Sequence, residues 1–439
     1  MEFEVLHRSK KKKFLIAGCF LVVILVAVAV GFTFAKYKVT ASIPLASGTI
    51  NYVPYDFSVL AMYQLNEDGG YDAISKMPSG DFTINTEKSY CTVDGSKDTN
   101  AKLETIDGNH TIANLQVGSK CYLYFDVDLG GNAGEEILAH YKTVKTRSLP
   151  LTTSSKVEAT TTGTIYKAQD DWGDTYYFAG NPTDNWVKFA NFYWRIIRIN
   201  GDGSIRMIYQ GTSANTTGTG TQLQTNAFNS SYNRSEYVGY MYTSGQQHGN
   251  TADSSIKNVL DNWYSSNLAG QSDKISTEAG FCGDREMASG YSWSSTGSTH
   301  YYAGYGRLAQ NSNGVNPTFK CSNSNDLYTT STSSKGNKKL SNPIGLITVD
   351  EVVMAGGAWN SGNSSYYLYN NAAYWTMSPF YFNVGSGGSW AIMFGVRSTG
   401  YLDAPDVSNA GGVRPVINLA RDVEITGSGT SSAPYVVVA

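Results

Sequence analysis

The stretch WRIIRINGDGSIRMIYQG, Trp194 to Gly211, decides the fold of the larger part of the chain. Apolar residues crowd Trp194–Ile199 and again Ile205–Tyr209, and the NGDGS between them is turn chemistry. Gly201 and Gly203 can take positive φ at no steric cost, so the segment reads as a β-hairpin. Working outward, DSSIKNVLDNWYSSNL places Ile256, Val259, Leu260 and Trp263 at i, i+3, i+4 and i+7. That spacing predicts a helix capped by Asp253 or Ser254, with one face on the sheet and Lys257, Asn258 and Asp261 outward. A second, shorter helix is expected near Val349 in LITVDEVVMAGG, with Thr348 as cap, Glu351 three residues on and Gly356 as stop. Gly280–Asn342 reads as a long excursion rich in Gly, Ser, Tyr and Asn, and AAYWTMSPF, SWAIMFGVRSTGYL, GGVRPVINL and APYVVVA as closing strands. The expected class is α+β.

Toward the N-terminus the pattern changes. Within a stalk domain expected over 36–148, the sequence from Asn51 to about Asp128 alternates apolar and polar positions in short runs, with FSVLAMYQL at Phe57 and CYLYFDV at Cys121 as strands and NEDGG at Asn66 and DGN at Asp107 as turns. A small antiparallel β-sandwich stalk is expected there, followed by a Thr/Ser-rich linker over 149–165 and the larger domain over 166–439. Residues 1–13 form a basic tail, with Lys10 to Lys13 abutting the uncharged apolar run Phe14 to Ala35. At about 1.5 Å per residue this run reaches roughly 30 Å, a bilayer's hydrocarbon thickness. A transmembrane signal-anchor helix over 14–35 is expected, single-pass, with the C-terminal ectodomain outside. A cleaved leader ending at Ala35 is the alternative, and gives a secreted chain.

Composition fits an external location: 16% charged residues, 45 Gly, 31 Tyr and a net charge of −3 offer nothing to nucleic acid. Cys19 lies in the apolar run, which leaves Cys91 with Cys121 and Cys282 with Cys321, one pair per region. Even numbers on the oxidising side of a membrane predict one disulfide in each.

WRIIRINGDGSIRMIYQG, FCGDR at Phe281, PIGLITVDEVVMAGG at Pro343, YWTMSP at Tyr374 and GGVRPVINL at Gly411 together resemble a domain of unknown function. That module recurs in cell-surface and phage-associated proteins of Gram-positive gut bacteria, and the likeness runs from Tyr166 to the end. It is in turn distantly similar to the C-type-lectin-like fold, in the branch shared with formylglycine-generating enzymes and variable receptor-binding proteins of phages. Two helices, long loops, GGSW at Gly387 and GVRP at Gly412 carry that second likeness, and fold alone does not deliver function. In those relatives the interval matching Ala391–Gly412 holds variable ligand-contacting residues.

The resemblance raises two chemistries. Formylglycine-type oxidation would need a reactive thiol pair, for which Cys282 and Cys321 are the candidates. Calcium would need oxygen ligands, which DDWGD at Asp170, TDNW at Thr183 and DNW at Asp261 contain without loop-ligand spacing. No other cofactor motif occurs, and the histidines show no triad or zinc spacing. The reading is a non-enzymatic, membrane-anchored recognition or adhesion protein for an extracellular glycan or protein surface, with a formylglycine-type enzyme or a purely structural envelope protein as alternatives. Its contact residues are the loop aromatics and their polar neighbours: Tyr301, Tyr305, Tyr381, Trp390, Arg397, Tyr401, Asp403 and Asp406. Large rigid rings among Ser, Gly and Asn are the chemistry of antibody loops.

Overall fold

The computed structural model describes residues 58–65, 71–75, 82–106, 109–127, 133–152, 159–160, 163–310, 314–359 and 361–438. The chain divides into two compact units, Met1–Asp128 and Leu129–Ala439. Strand accounts for 36% and helix for 14% of the described residues, so the α+β expectation is corrected to a mostly β fold. The membrane helix expected at 14–35 lies outside the described residues, and among those described no helix is long and apolar enough to cross a membrane.

The first unit contains β1 (Ser58–Leu65), β2 (Tyr71–Ile74), β3 (Phe82–Ile84), β4 (Tyr90–Val93), β5 (Ser96–Lys97), β6 (Lys102–Ile106), β7 (Asn109–Ala113) and β8 (Lys120–Val127). It is a mixed sheet rather than the antiparallel sandwich expected, because β1 and β8 pair in parallel while β3 and β4 pair antiparallel to β8. The pairing of a first strand with a last one leaves no local sequence signal. β6 and β7 form a separate hairpin, and their Leu103 and Ile112 pack on the sheet. Alternation along β8 buries Cys121, Leu123 and Phe125 and leaves Tyr122 and Tyr124 on the other face. There they stack on Tyr90 and Tyr63 with ring centres 4.8 and 4.7 Å apart. The described core here holds only five buried apolar residues, so the Cys91–Cys121 disulfide between directly paired strands supplies a large share of the constraint.

In the second unit, α1 (Ala133–Ala139) and β9 (Thr143–Thr146) come from sequence assigned above to the stalk. β9 pairs in parallel with β10 (Thr164–Asp170), and β10 continues the sheet into β11 (Gly173–Tyr177). Both described ends of the Thr/Ser-rich segment join this unit: Leu151 pairs with Val315, and the buried Thr160 donates to the Ala179 carbonyl. β12 (Trp186–Phe189) and β11 share one edge of β13 (Phe192–Ile199), and β14 (Ile205–Gly211) takes the other. The hairpin therefore forms where its turn residues put it, at the centre of a nine-stranded sheet. Gly203 has φ +84°, whereas Gly201 is required for another reason. A Cβ there would lie 2.5 Å from Gly173 N and 2.6 Å from Asp170 Oδ1.

α2 (Ser255–Asn267) starts on Ser254, whose Oγ accepts the Lys257 N–H. Lys257 does not look outward as expected: it is 1% exposed, and its Nζ lies 2.6 Å from Asp261 and 3.3 Å from Asp253. α3 (Ala303–Leu308), like α1, was unforeseen, being too short to show a period. α4 (Val349–Ala355) has the expected capping box between Thr348 and Glu351 and ends on Gly356 at φ +128°. β15 (Tyr374–Gly385) and β16 (Gly388–Val396) form the long hairpin of the second sheet, while β17 (Val416–Leu419) returns to the first sheet beside β14. The excursion Gly280–Asn342 is not a free loop. Phe281–Cys282 pairs with Leu327–Tyr328, His300–Tyr301 pairs with β15, and Cys282 is bonded to Cys321.

The two disulfides span 30 and 39 residues. Each restricts the unfolded chain by about 3.5–4 kcal/mol on loop-closure entropy. Replacing Cys282 and Cys321 together by Ser is expected to lower the melting temperature of the second unit by roughly 6 °C, measured by scanning calorimetry. An unchanged melting temperature would show that the bridge does not staple the excursion.

A charged cluster sits under the central hairpin. A bulge between Ile196 and Arg198 sets Arg198 directly opposite Arg206, and both meet the capping-box carboxylate. Arg206 Nε lies 2.5 Å and Arg198 Nε 3.2 Å from Glu351 Oε1, and Arg198 also pairs with Asp170. All four side chains are nine-tenths buried or more. Burial opposes the charge on Glu351, but Arg206 and Arg198 hold its carboxyl below the usual carboxylate range. Its stabilising contribution is therefore complete above the unfolded carboxyl value and fades as pH falls through the depressed folded one. Glu351→Ala leaves the buried Arg206 without its carboxylate and Arg198 with Asp170 alone, and is expected to cost about 3–5 kcal/mol in urea denaturation at pH 7. A loss below about 1 kcal/mol would refute the assignment.

Candidate functional site

Three of the expected contact residues come together. Tyr301 stands opposite Tyr381 in the pairing of His300–Tyr301 with β15, their rings stacked at 5.1 Å and 14°. Tyr305, one turn into α3, brings its ring centre to 4.1 Å from that of Tyr301, and Tyr291 reaches 5.1 Å. Tyr291 was missed in the sequence, since nothing in its neighbourhood shows that the chain folds back there. All four rings are half-buried, and beneath them Phe380 stacks on Trp359 at 4.8 Å. Tyr302 holds the group in place: it is 1% exposed, and its hydroxyl donates to the Ser235 carbonyl at 2.9 Å. Two register shifts around Pro379 bend β15 just before Tyr381 and re-aim it.

Trp390 pairs with Asn383 two rungs further along, so it shares a face of the hairpin with Tyr381. Asp406 reaches the same region through its bridge to Ile392, but its Oδ1 is occupied by the Ser408 N–H and Oγ. Arg397, Tyr401 and Asp403 lie at the other end of β16. Arg397 donates to Asp403 at 2.6 Å and lies over the Tyr401 ring at 5.4 Å. This exposed pair closes a turn and contributes about 0–1 kcal/mol. The eight residues are thus a tyrosine face with Trp390 and Asp406 beside it, and a separate turn. Within the interval Ala391–Gly412, Ala391–Val396 is fully buried and so cannot meet a ligand.

The candidate chemistries land elsewhere. Cys282 and Cys321 are bonded to each other, so neither is the free thiol that formylglycine-type oxidation requires. Among the described residues, no three His, Cys, Asp or Glu side chains converge to hold a metal ion. The carboxylates considered for calcium have protein partners: Asp170 takes Arg198, Asp174 takes Lys167, and Asp261 takes Lys257. One His–Asp pair does form, joining residues 78 apart. His248 Nδ1 is 2.9 Å from Asp326 Oδ2, and Asp326 is in turn gripped by Arg285. His248 Nε2 faces the Glu286 carboxylate at 3.6 Å rather than a hydroxyl or thiol.

Beside the disulfide, Asp171, Asp284, Arg307 and Asp350 line a cavity of about 20 Å³, room for about one water molecule. Arg307 bridges Asp284 at 2.7 Å and Asp350 at 2.9 Å. Burial raises the Asp171 carboxyl to about 6, against the pull of the Cys321 N–H. No family model, curated protein or solved structure matches the chain.

A raised folded pKa stabilises at low pH. The Asp171 contribution is complete below about 3.8 and lost as pH rises through about 6. Asp171→Asn is therefore expected to raise stability at pH 7.5 relative to the parent and to flatten the stability profile between pH 4 and 7. Parallel profiles for the two proteins, from urea denaturation at each pH, would show that Asp171 titrates normally.

Proposed function

We propose that the chain is an extracellular recognition protein, without catalytic chemistry, whose tyrosine face contacts a glycan or protein surface. The observation that carries this is the group Tyr291, Tyr301, Tyr305 and Tyr381: four half-buried rings, three of them packed on Tyr301, at one sheet edge. Rings already fixed by Phe380 and Trp359 lose little freedom when a partner covers them, so contact area converts efficiently into affinity. The neighbouring segment Ser292–His300 is rich in Ser and Thr, the adaptable polar partners such a surface uses. The two disulfides fit an oxidising compartment, where such partners are met.

The test is a screen of the full chain against immobilised extracellular proteins and glycans, followed by titration of any binder. Tyr301→Ala and Tyr381→Ala are each expected to weaken binding roughly 10-fold or more while the circular dichroism spectrum is kept. Arg397→Ala is expected to stay within about twofold, as a rim-type exposed pair does. Equal binding by the tyrosine variants and the parent would refute the reading.

A further inference from the structure

A second surface lies outside that face. α2 and the segment Gln222–Gln224 flank an open groove of about 460 Å³. This is within the range of small-ligand sites, about 300–1,000 Å³. Its aromatic wall is Trp263, half-buried, with Tyr209 behind it. The indole is held from three sides, its ring centre 5.3 Å from Phe192, 5.7 Å from Tyr209 and 6.2 Å from Trp194. Val259 packs against the core as expected and also lines this groove, half-buried.

Around the ring stand four amide side chains, Gln222, Gln224, Asn262 and Asn267. Each amide offers both donors and acceptors, the match for a hydroxyl that does both. Two of them are pre-set: Gln222 Nε2 donates to the Ala373 carbonyl at 2.8 Å, and Asn267 Nδ2 donates to the Trp263 carbonyl at 2.9 Å. Gln222 is also locked by its passage over Gly412, where a Cβ would come within 2.1 Å of its amide carbon. No lining residue carries a charge, and the nearest charged side chains on α2, Lys257 and Asp261, neutralise each other.

An extended peptide finds no strand edge in this wall. The Leu223 N–H donates to the Val413 carbonyl, and the Val413 N–H to the Gln224 carbonyl, both at 2.9 Å. What remains is a half-buried indole with neutral donors and acceptors around it. A sugar ring has the complementary form, with an apolar C–H face and a rim of hydroxyls.

We propose that this groove is a binding site for a neutral oligosaccharide, stacked on Trp263 and hydrogen-bonded by the amides of Gln222, Gln224, Asn262 and Asn267. The site is independent of the tyrosine face.

The full chain is titrated calorimetrically with neutral hexasaccharides (cellohexaose, xylohexaose, maltohexaose and chitohexaose) and with the anionic hexagalacturonate. At least one neutral probe is expected to bind, and hexagalacturonate at least about 10-fold more weakly, because no cation stands in the groove to offset its carboxylates. Trp263→Ala is expected to weaken binding about 10-fold or more. The double variant Gln224→Ala/Asn262→Ala, at two exposed positions, is expected to weaken it about 5- to 30-fold and carries the test if Trp263→Ala misfolds. Tyr381→Ala is expected to leave it unchanged, so failure here is distinct from failure of the tyrosine face. Absence of binding to every neutral probe, preference for the anionic one, or an unaltered amide double variant would each overturn the proposal.

Discussion

The second unit is organised around one buried carboxylate. Glu351 closes the capping box of α4 by accepting the Thr348 N–H and at the same time receives Arg198 and Arg206 from adjacent strands of the central hairpin. An isolated charge at this depth would be expelled or neutralised. Paired with two guanidinium groups, one of them shared with Asp170, it becomes a cross-link between helix and sheet that only one geometry satisfies. The bulge that sets Arg198 opposite Arg206 is thus part of the same device.

From that point the constraint spreads along the chain. Immediately before α4, Gly345 pairs with Val416 of the first sheet, and the Ile347 carbonyl accepts the Met377 N–H of the second. The Val349 N–H then donates to Ser378 Oγ. Residues 345–351 therefore join both sheets to the helix within a few peptides, and β15 leaves this junction to reach Tyr381. The tyrosine face is thus joined to the buried ionic cluster through this junction, although it shares no residue with it. Arg414 acts similarly elsewhere: fully buried, it donates to the Leu368 and Tyr209 carbonyls and lies over the Tyr374 ring.

The segments that read as motifs in the sequence build this scaffold. WRIIR supplies β13, PIGLITVDEV the junction and α4, YWTMSP the start of β15, and GVRPVINL the buried Arg414 with β17. Motifs of this kind report packing requirements, because a buried arginine or a capping box tolerates few replacements. They say little about what the surface binds, which is why the groove on α2 left no mark beyond an ordinary amphipathic helix.

Local chemistry in the sequence determined the central hairpin, the capped helices α2 and α4, and the two cysteine pairs, since each depends on neighbours in the chain or on a small, even count. Tertiary structure alone decided which strands pair across long separations, and so made the fold mostly β and the first unit a mixed sheet. It also decided which polar residues are buried. Lys257 sits on a helix face that reads as exposed, yet it is enclosed by Asp253, Asp261 and Ser341, 84 residues away. Of the eight contact residues read from the sequence, Tyr301 meets Tyr305 and Tyr381, while Arg397 meets Tyr401 and Asp403 in a separate turn, because bulges and pairings formed at a distance set where a side chain finally points.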